Sequence, residues 1–243
     1  MLKTYSYAKL SASEIASLCE RNIDVSNKIS TAVEEIIERV RQAGDEALLE
    51  YAERFDGVRP ERLYAEKEEI EKLAAQVDER DRKALQVAYA NIYKFHQTQL
   101  GREEKVETTA GVSCWREYRA IQKVGLYIPG GTAVLPSTLL MLGIPAKIAG
   151  CRDIVVCCPP QKDGRLSPHI AYVAKILGIE KVYLVGGAQA IAAMALGTLT
   201  VPRVSKLFGP GNQYVTRAKM LLQSRYGVAI DMPAGPSEVL VIA

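Results

Sequence analysis

Val182-Tyr183-Leu184-Val185-Gly186-Gly187-Ala188-Gln189-Ala190-Ile191-Ala192-Ala193-Met194-Ala195-Leu196-Gly197 decides the fold. Its first four residues are apolar without alternation, the pattern of a strand covered on both faces. A glycine pair then turns the chain, and the alanine-rich run Ala188–Leu196 follows as a helix that Gly197 ends. The unit is strand, glycine turn, helix. It recurs on both sides of this stretch. Val124–Ile128 leads into Pro129-Gly130-Gly131 and an apolar run beginning near Pro136-Ser137. Ile154–Cys158 precedes a helix from Pro168 to Leu177, with Gly178 as its cap. Lys206–Phe208 leads through Gly209-Pro210-Gly211 into a helix from about Gln213 to Tyr226, and Val228–Asp231 is a further strand. Short, non-alternating strands interleaved with helices specify a parallel sheet covered on both faces, a Rossmann-like α/β domain.

Three of the turns, at Gly130-Gly131, Gly186-Gly187 and Gly209-x-Gly211, fall at the carboxyl ends of these strands, the edge where open α/β sheets bind ligands. Without Cβ atoms, such turns let backbone N–H groups and a helix N-terminus approach a phosphate. Glycine also suits such turns for their own sake, and neither GxGxxG nor GxxxxGK[ST] occurs in strict form. On these residues alone, turn-making and nucleotide binding both stay open.

The first half follows a different grammar. Residues 1–120 carry 19 Lys+Arg and 23 Asp+Glu, while residues 121–243 carry 12 and 5; fourteen of the 18 glycines and ten of the 11 prolines lie in the second half. The first half is therefore mostly helix. Ser11-x-x-Glu14 has the spacing of a capping box ahead of a short helix. From Asn27, the positions Ile29, Val33, Ile36, Ile37 and Val40 form one apolar stripe, which Gly44 ends. Helices from Asp45 to Phe55, closing at the turn dipeptide Asp56-Gly57, from Glu66 to Val77, and from Glu79 to about Gln99 complete the segment. The last carries Leu85, Ala88, Tyr89, Ile92, Phe95 and His96 on one face. Val112–Tyr118 then alternates and predicts a half-exposed strand.

Composition narrows the function classes. With 48% hydrophobic and 24% charged residues, the chain is that of a globular protein long enough to bury its own core. A formal charge of +3 is too small a surplus to argue for nucleic acid or an anionic membrane. No apolar run reaches membrane-helix length, and no signal-peptide pattern precedes the first helix, so a cytoplasmic location is expected. Five cysteines without a CxxC pair suit reduced thiols. Cys157-Cys158 sits inside a predicted strand as core. Cys114, beside Arg116, is the best-placed candidate nucleophile, although no histidine neighbours it. His96 belongs to an apolar stripe and His169 to the exposed first turn of a helix. Without HExxH, HxxE or a Cys/His cluster, no metal site is expected within the chain. The Val239–Ala243 strand ends in mid-run with no turn or crossover after it, which predicts the front part of a longer polypeptide.

Four longer motifs go further. Gly125-Leu126-Tyr127-Ile128-Pro129-Gly130-Gly131, Val185-Gly186-Gly187-Ala188-Gln189-Ala190, Phe208-Gly209-Pro210-Gly211-Asn212 and Asp231-Met232-Pro233-Ala234-Gly235-Pro236-Ser237-Glu238 together resemble the histidinol dehydrogenase family. Gly44-Asp45-Glu46-Ala47-Leu48 and the Gly111–Cys114 strand extend the resemblance along essentially the whole chain.

That resemblance implies oxidation of L-histidinol to L-histidine, with two NAD reduced and a zinc ion holding the substrate. It implies an aldehyde-dehydrogenase-like α/β architecture in a homodimer, with no nucleic acid or membrane partner. Residues 1–124 then form a helix-rich N-terminal segment and the first part of domain one. Residues 125–236 form the Rossmann-like NAD-binding domain, and residues 237–243 a returning strand of the incomplete first domain. The NAD contacts map to Tyr127, Gln189 and Asn212, and an early substrate contact to Ser237. The family's zinc ligands and Glu-His acid/base pair lie beyond Ala243, so no catalytic or metal-binding residue is assigned within this chain, and by itself it is expected to be inactive. The alternative is a non-catalytic nucleotide-binding or interaction module derived from the same family.

Overall fold

The computed structural model describes residues 4–19, 23–101, 104–130 and 134–232, with residues 20–27 lacking described side chains. The first half contains helices α1 (Ala12–Cys19), α2 (Ile23–Ala43), α3 (Asp45–Tyr51), α4 (Lys67–Ala74) and α5 (Glu79–Gln97), together with strands β1 (Tyr64–Glu66), β2 (Val106–Thr109) and β3 (Val112–Cys114). The second half alternates as its pattern predicts: β4 (Lys123–Tyr127), α6 (Pro136–Ile148), β5 (Asp153–Cys158), α7 (Pro168–Ile176), β6 (Lys181–Leu184), α8 (Gly187–Leu196), β7 (Lys206–Phe208), α9 (Gln213–Tyr226) and β8 (Ala229–Ile230).

The main sheet runs β1-β6-β5-β4-β7-β8. Strands β4 to β8 pair in parallel, and β1 adds an antiparallel edge against β6, with Ala65 opposite Val182. The chain leaves β4 for β5 on one side and returns to β7 on the other. Strand order therefore reverses between β4 and β7, where a crevice opens beyond the carboxyl ends of the strands.

Strand alternation assigns each side chain to one of two cores. Val156 and Cys158 of β5, Val124 and Leu126 of β4, and Val182 and Leu184 of β6 join α4, α5, α6 and α7 on one face. Val155, Cys157, Tyr127 and Tyr183 point the other way, into a core shared with α2, α3, α8 and α9. The continuous apolar strands of the sequence follow from this, because both of their faces are dry. Helices from the first half cover both faces: α2 packs on α8 and α9, α4 on α7, and α5 on α6.

The amphipathic stripe of α2 is buried at Ile29, Val33, Ile36, Ile37 and Val40. The capping box forms, with the Ser11 N–H donating to Glu14 Oε2 at 2.8 Å and the Glu14 N–H to Ser11 Oγ at 3.3 Å. Three expectations are corrected. Phe95 is exposed, whereas Leu85, Ala88, Tyr89 and Ile92 pack inward. At about 100° per residue, Phe95 lies about 80° from Leu85, at the edge of the stripe. Strand β3 ends at Cys114 because it pairs only with the short β2, whose first residue, Val106, lies opposite Cys114; Trp115–Tyr118 therefore stay outside any sheet. The helix expected to reach Phe55 ends as an α-helix at Tyr51 and continues through Asp56 as a π-turn.

Candidate functional site

At the switch point two turns meet backbone to backbone. Gly209, following β7, has φ 131°, and a Cβ there would run into the Tyr127 carbonyl oxygen at the end of β4. Only glycine permits this approach. Both peptide groups flanking the Gly209 Cα are held. Lys219 of α9, 4% exposed, donates from Nζ to the Gly209 carbonyl and lies 2.7 Å from Asp231 Oδ1, while Asp231 Oδ2 accepts the Gly209 N–H at 2.8 Å.

Against these turns lies a cavity of about 480 Å³. Its lining includes Tyr127 and Gly130 after β4, Gly187 and Gln189 at the start of α8, and Asn212 and Tyr214 at the start of α9. Ala32 and Ile36 of α2 wall it on one side, and Arg54, Phe55 and Asp56 of the π-turn on another. Tyr127, Gln189 and Asn212, far apart in sequence, thus border one space.

Each is placed by its turn. The Tyr127 side chain points into the α8-side core, and its hydroxyl accepts the Gly187 N–H at 3.0 Å. That hydroxyl keeps its own proton, since burial pushes the phenol up to about 12. Gly187 has φ 62°, and a Cβ on it would sit 2.5 Å from Gln189 Oε1, so glycine leaves room for the amide. Gln189 is 1% exposed, and its Oε1 has no hydrogen-bond partner among the described residues. Asn212 is the N-cap of α9: its Oδ1 accepts from the Tyr214 and Val215 N–H groups at 3.0 and 3.1 Å. The cap engages the amide oxygen and leaves the Nδ2 donors to the exposed side. Helix α8, by contrast, has no cap from its own N-cap residue, Gly186; the Tyr127 hydroxyl takes its first N–H, from Gly187, which itself lines the cavity.

Asp56 escapes sequence reasoning, which sees only a turn dipeptide. The structure places it on the cavity wall with Oδ2 buried and unpartnered among the described residues. Burial lifts its carboxyl to about 6. The π-turn aims it there, a type of backbone irregularity frequent at functional sites; neither spacing nor periodicity carries that signal.

Other candidates lie elsewhere. His169, expected to be exposed, is half-buried, and its Nε2 lies 2.8 Å from Asp81 Oδ2, which ties α7 to α5. His96 lies 2.7 Å from Gln99 Oε1 through Nδ1. Cys114 is exposed on the β2–β3 hairpin. Ser237 and the strand expected over Val239–Ala243 lie outside the described residues. Among the described residues, no group of three or more His, Cys, Asp or Glu is arranged to hold a metal, and no helix is long and apolar enough to cross a membrane.

A family model described as histidinol dehydrogenase matches residues 19–243. The chain belongs to the histidinol dehydrogenase family. It is 52% identical to the histidinol dehydrogenase of Vibrio vulnificus, over 100% of this chain and 56% of that protein. The chloroplastic histidinol dehydrogenase of Arabidopsis thaliana is also 52% identical, with 100% of this chain and 52% of that protein covered. The crystal structure of histidinol dehydrogenase from Elizabethkingia anophelis superposes with a TM-score of 0.82 at 47% identity, covering 86% of this chain and 48% of that one. The chain spans about half the length of these histidinol dehydrogenases, and the portion it shares with them is the N-terminal part, a Rossmann-like α/β structure.

Proposed function

We propose that this chain is the NAD-binding portion of a histidinol dehydrogenase, acting on L-histidinol as part of a longer or assembled enzyme. One observation carries the reading: Tyr127, Gln189 and Asn212 line a single cavity at the switch point of the sheet. The cavity suits a nucleotide. It offers the Gln189 oxygen as a buried acceptor, the Asn212 Nδ2 and Tyr127 hydroxyl as donors, and the first turn of α8 beyond Gly187 to a phosphate. Glycines at 130 and 187 stand where a Cβ would meet Pro159 and Gln189, so the turns can pack against these two cavity-lining residues. Bound NAD supplies the hydride acceptor. The residues of this chain bind and orient it, and Ser237 makes the early contact with substrate.

Zinc does not fit the described residues, which bring together no set of ligands, so no step is assigned to it here. Free cysteines among the described residues support a reducing, cytoplasmic setting. The exposed Phe95, Trp115 and Tyr118 support association with further polypeptide, as in a homodimer.

Calorimetry of NAD into the 243-residue chain tests the reading, paired with NADH formation from histidinol in the presence or absence of a co-expressed C-terminal segment from a complete relative. The expected outcome is NAD binding by the chain alone and turnover only with the segment. Turnover by the chain alone would show that the acid/base groups are misplaced. NAD binding without turnover in either case favours the non-catalytic module.

A further inference from the structure

The cavity holds two acceptor oxygens with nothing to accept from: Asp56 Oδ2 and Gln189 Oε1 are both buried and unpartnered among the described residues. Gln189 is 99% buried, so bulk water does not serve it. Buried polar atoms in native proteins are normally paired, and two orphans bordering one cavity mark a place completed by a ligand. Both atoms accept, so the completing ligand must bring donors. Within a dinucleotide, the ribose hydroxyls are such donors, whereas a phosphate presents only acceptors and negative charge.

We propose that Asp56 and Gln189 receive the hydroxyls of the adenosine ribose, and that Asp56 makes this site select NAD over NADP. The proposal rests on the NAD reading above and assigns a specificity role to a residue outside the four motifs. Asp56 accepts a hydrogen bond from a free 2′-hydroxyl and repels a 2′-phosphate at the same position. In so compact a cavity, that phosphate would lie within a Debye length, about 8–10 Å, of the carboxylate. Arg54 is the competing charge. It borders the same cavity, with its guanidinium carbon 5.2 Å from the centre of the Phe55 ring. It is exposed, so its charge is screened, whereas Asp56 is half-buried with its Oδ2 shielded from solvent.

Calorimetric titration of NAD and of NADP into the 243-residue chain at pH 8, where Asp56 is ionised, tests the assignment. The wild-type chain is expected to bind NAD at least about tenfold more tightly than NADP, a ratio typical of one lost hydrogen bond plus repulsion. Asp56→Asn keeps the size and an acceptor and removes the charge, so the ratio should narrow to about threefold or less, mainly through tighter NADP. Asp56→Ala should weaken NAD itself by about tenfold. Circular dichroism and melting of each variant establish that it is folded, and Gln189→Leu supplies an independent loss of the second acceptor. Equal wild-type affinity for the two nucleotides, as Arg54 capturing the phosphate would produce, overturns the proposal. An Asp56→Asn variant that keeps the wild-type ratio overturns it while leaving the NAD reading intact. Failure of the wild-type chain to bind either nucleotide removes both readings together.

Discussion

Lys219 and Asp231 grip one residue, Gly209, through the peptide groups on either side of its Cα. Lys219 Nζ donates to the Gly209 carbonyl, Asp231 Oδ2 accepts the Gly209 N–H, and the two side chains pair with each other at 2.7 Å. Gly209 is where the backbone after β7 touches the Tyr127 carbonyl, and three residues later Asn212 begins α9. A buried ion pair is poor evidence of net stabilisation, but it specifies geometry well when every partner is satisfied. Here it sets the height of the turn that presents Asn212.

Breaking the pair on one side strands a charge. Lys219→Met is expected to destabilise the chain by about 3 kcal/mol in urea denaturation, since Asp231 is left facing Gly209 without its cation. The double variant Lys219→Met/Asp231→Asn should cost clearly less than the two single losses added together. Additive losses would show that the two residues act independently.

Asn212 combines a cap with a donor, and substitution separates the two. Asn212→Ala should lose about 1 kcal/mol of stability together with NAD affinity. Asn212→Asp keeps the capping oxygen and removes the Nδ2 donors. Its melting temperature is expected to stay near wild type while NAD binding falls by about tenfold or more, as measured by calorimetry.

Tyr127→Phe removes the acceptor for the Gly187 N–H and leaves that donor at the cavity wall. The expected cost is about 1–2 kcal/mol of stability in denaturant melts. Because the phenol is pushed up to about 12, its ionisation plays no part in binding below pH 9. The wild-type NAD affinity attributable to Tyr127 should therefore be flat from pH 7 to 9 in titrations that compare both proteins.

Asp56 gives the chain a pH signature. Burial raises its carboxyl from 3.8 to about 6, so the folded chain holds this proton more tightly than the unfolded chain does. Its contribution to stability is fully present below pH 3.8 and is lost as pH rises through about 6. Asp56→Asn removes that dependence. The stability gap between variant and wild type should shift in favour of the variant between pH 4 and pH 7.5. The size is on the order of 1 kcal/mol after allowance for solvent screening of a half-exposed group, and urea denaturation at the two pH values measures it.

Much of this architecture is legible along the chain because it is local. Short apolar strands, glycine turns and glycine-ended helices are local features, so β4 to β8 and α7 to α9 follow from apolar runs and their punctuation, and α6 is legible as an apolar stretch beginning near Pro136. Strand β7 matches to the residue, and helix α9 agrees with a start read as about Gln213. The glycine turns beside Tyr127, Gln189 and Asn212 are legible for the same reason, whereas those three residues themselves are singled out by the family resemblance. Other features depend on contacts between distant segments. Strand β1 is three residues long, too short to show a pattern, and exists because β6 offers it an edge. Phe95 is apolar and helical, yet exposed, because it lies at the edge of the stripe that packs inward. Asp56 looks like an ordinary turn residue until the π-turn and α2 enclose it, which removes its water and raises its affinity for a proton. Lys219 and Asp231 are separated by a helix end, a turn and a strand, and neither motif nor spacing joins them. Burial and pairing across the crevice arise only when remote surfaces meet and exclude solvent, so the tertiary structure alone could reveal them.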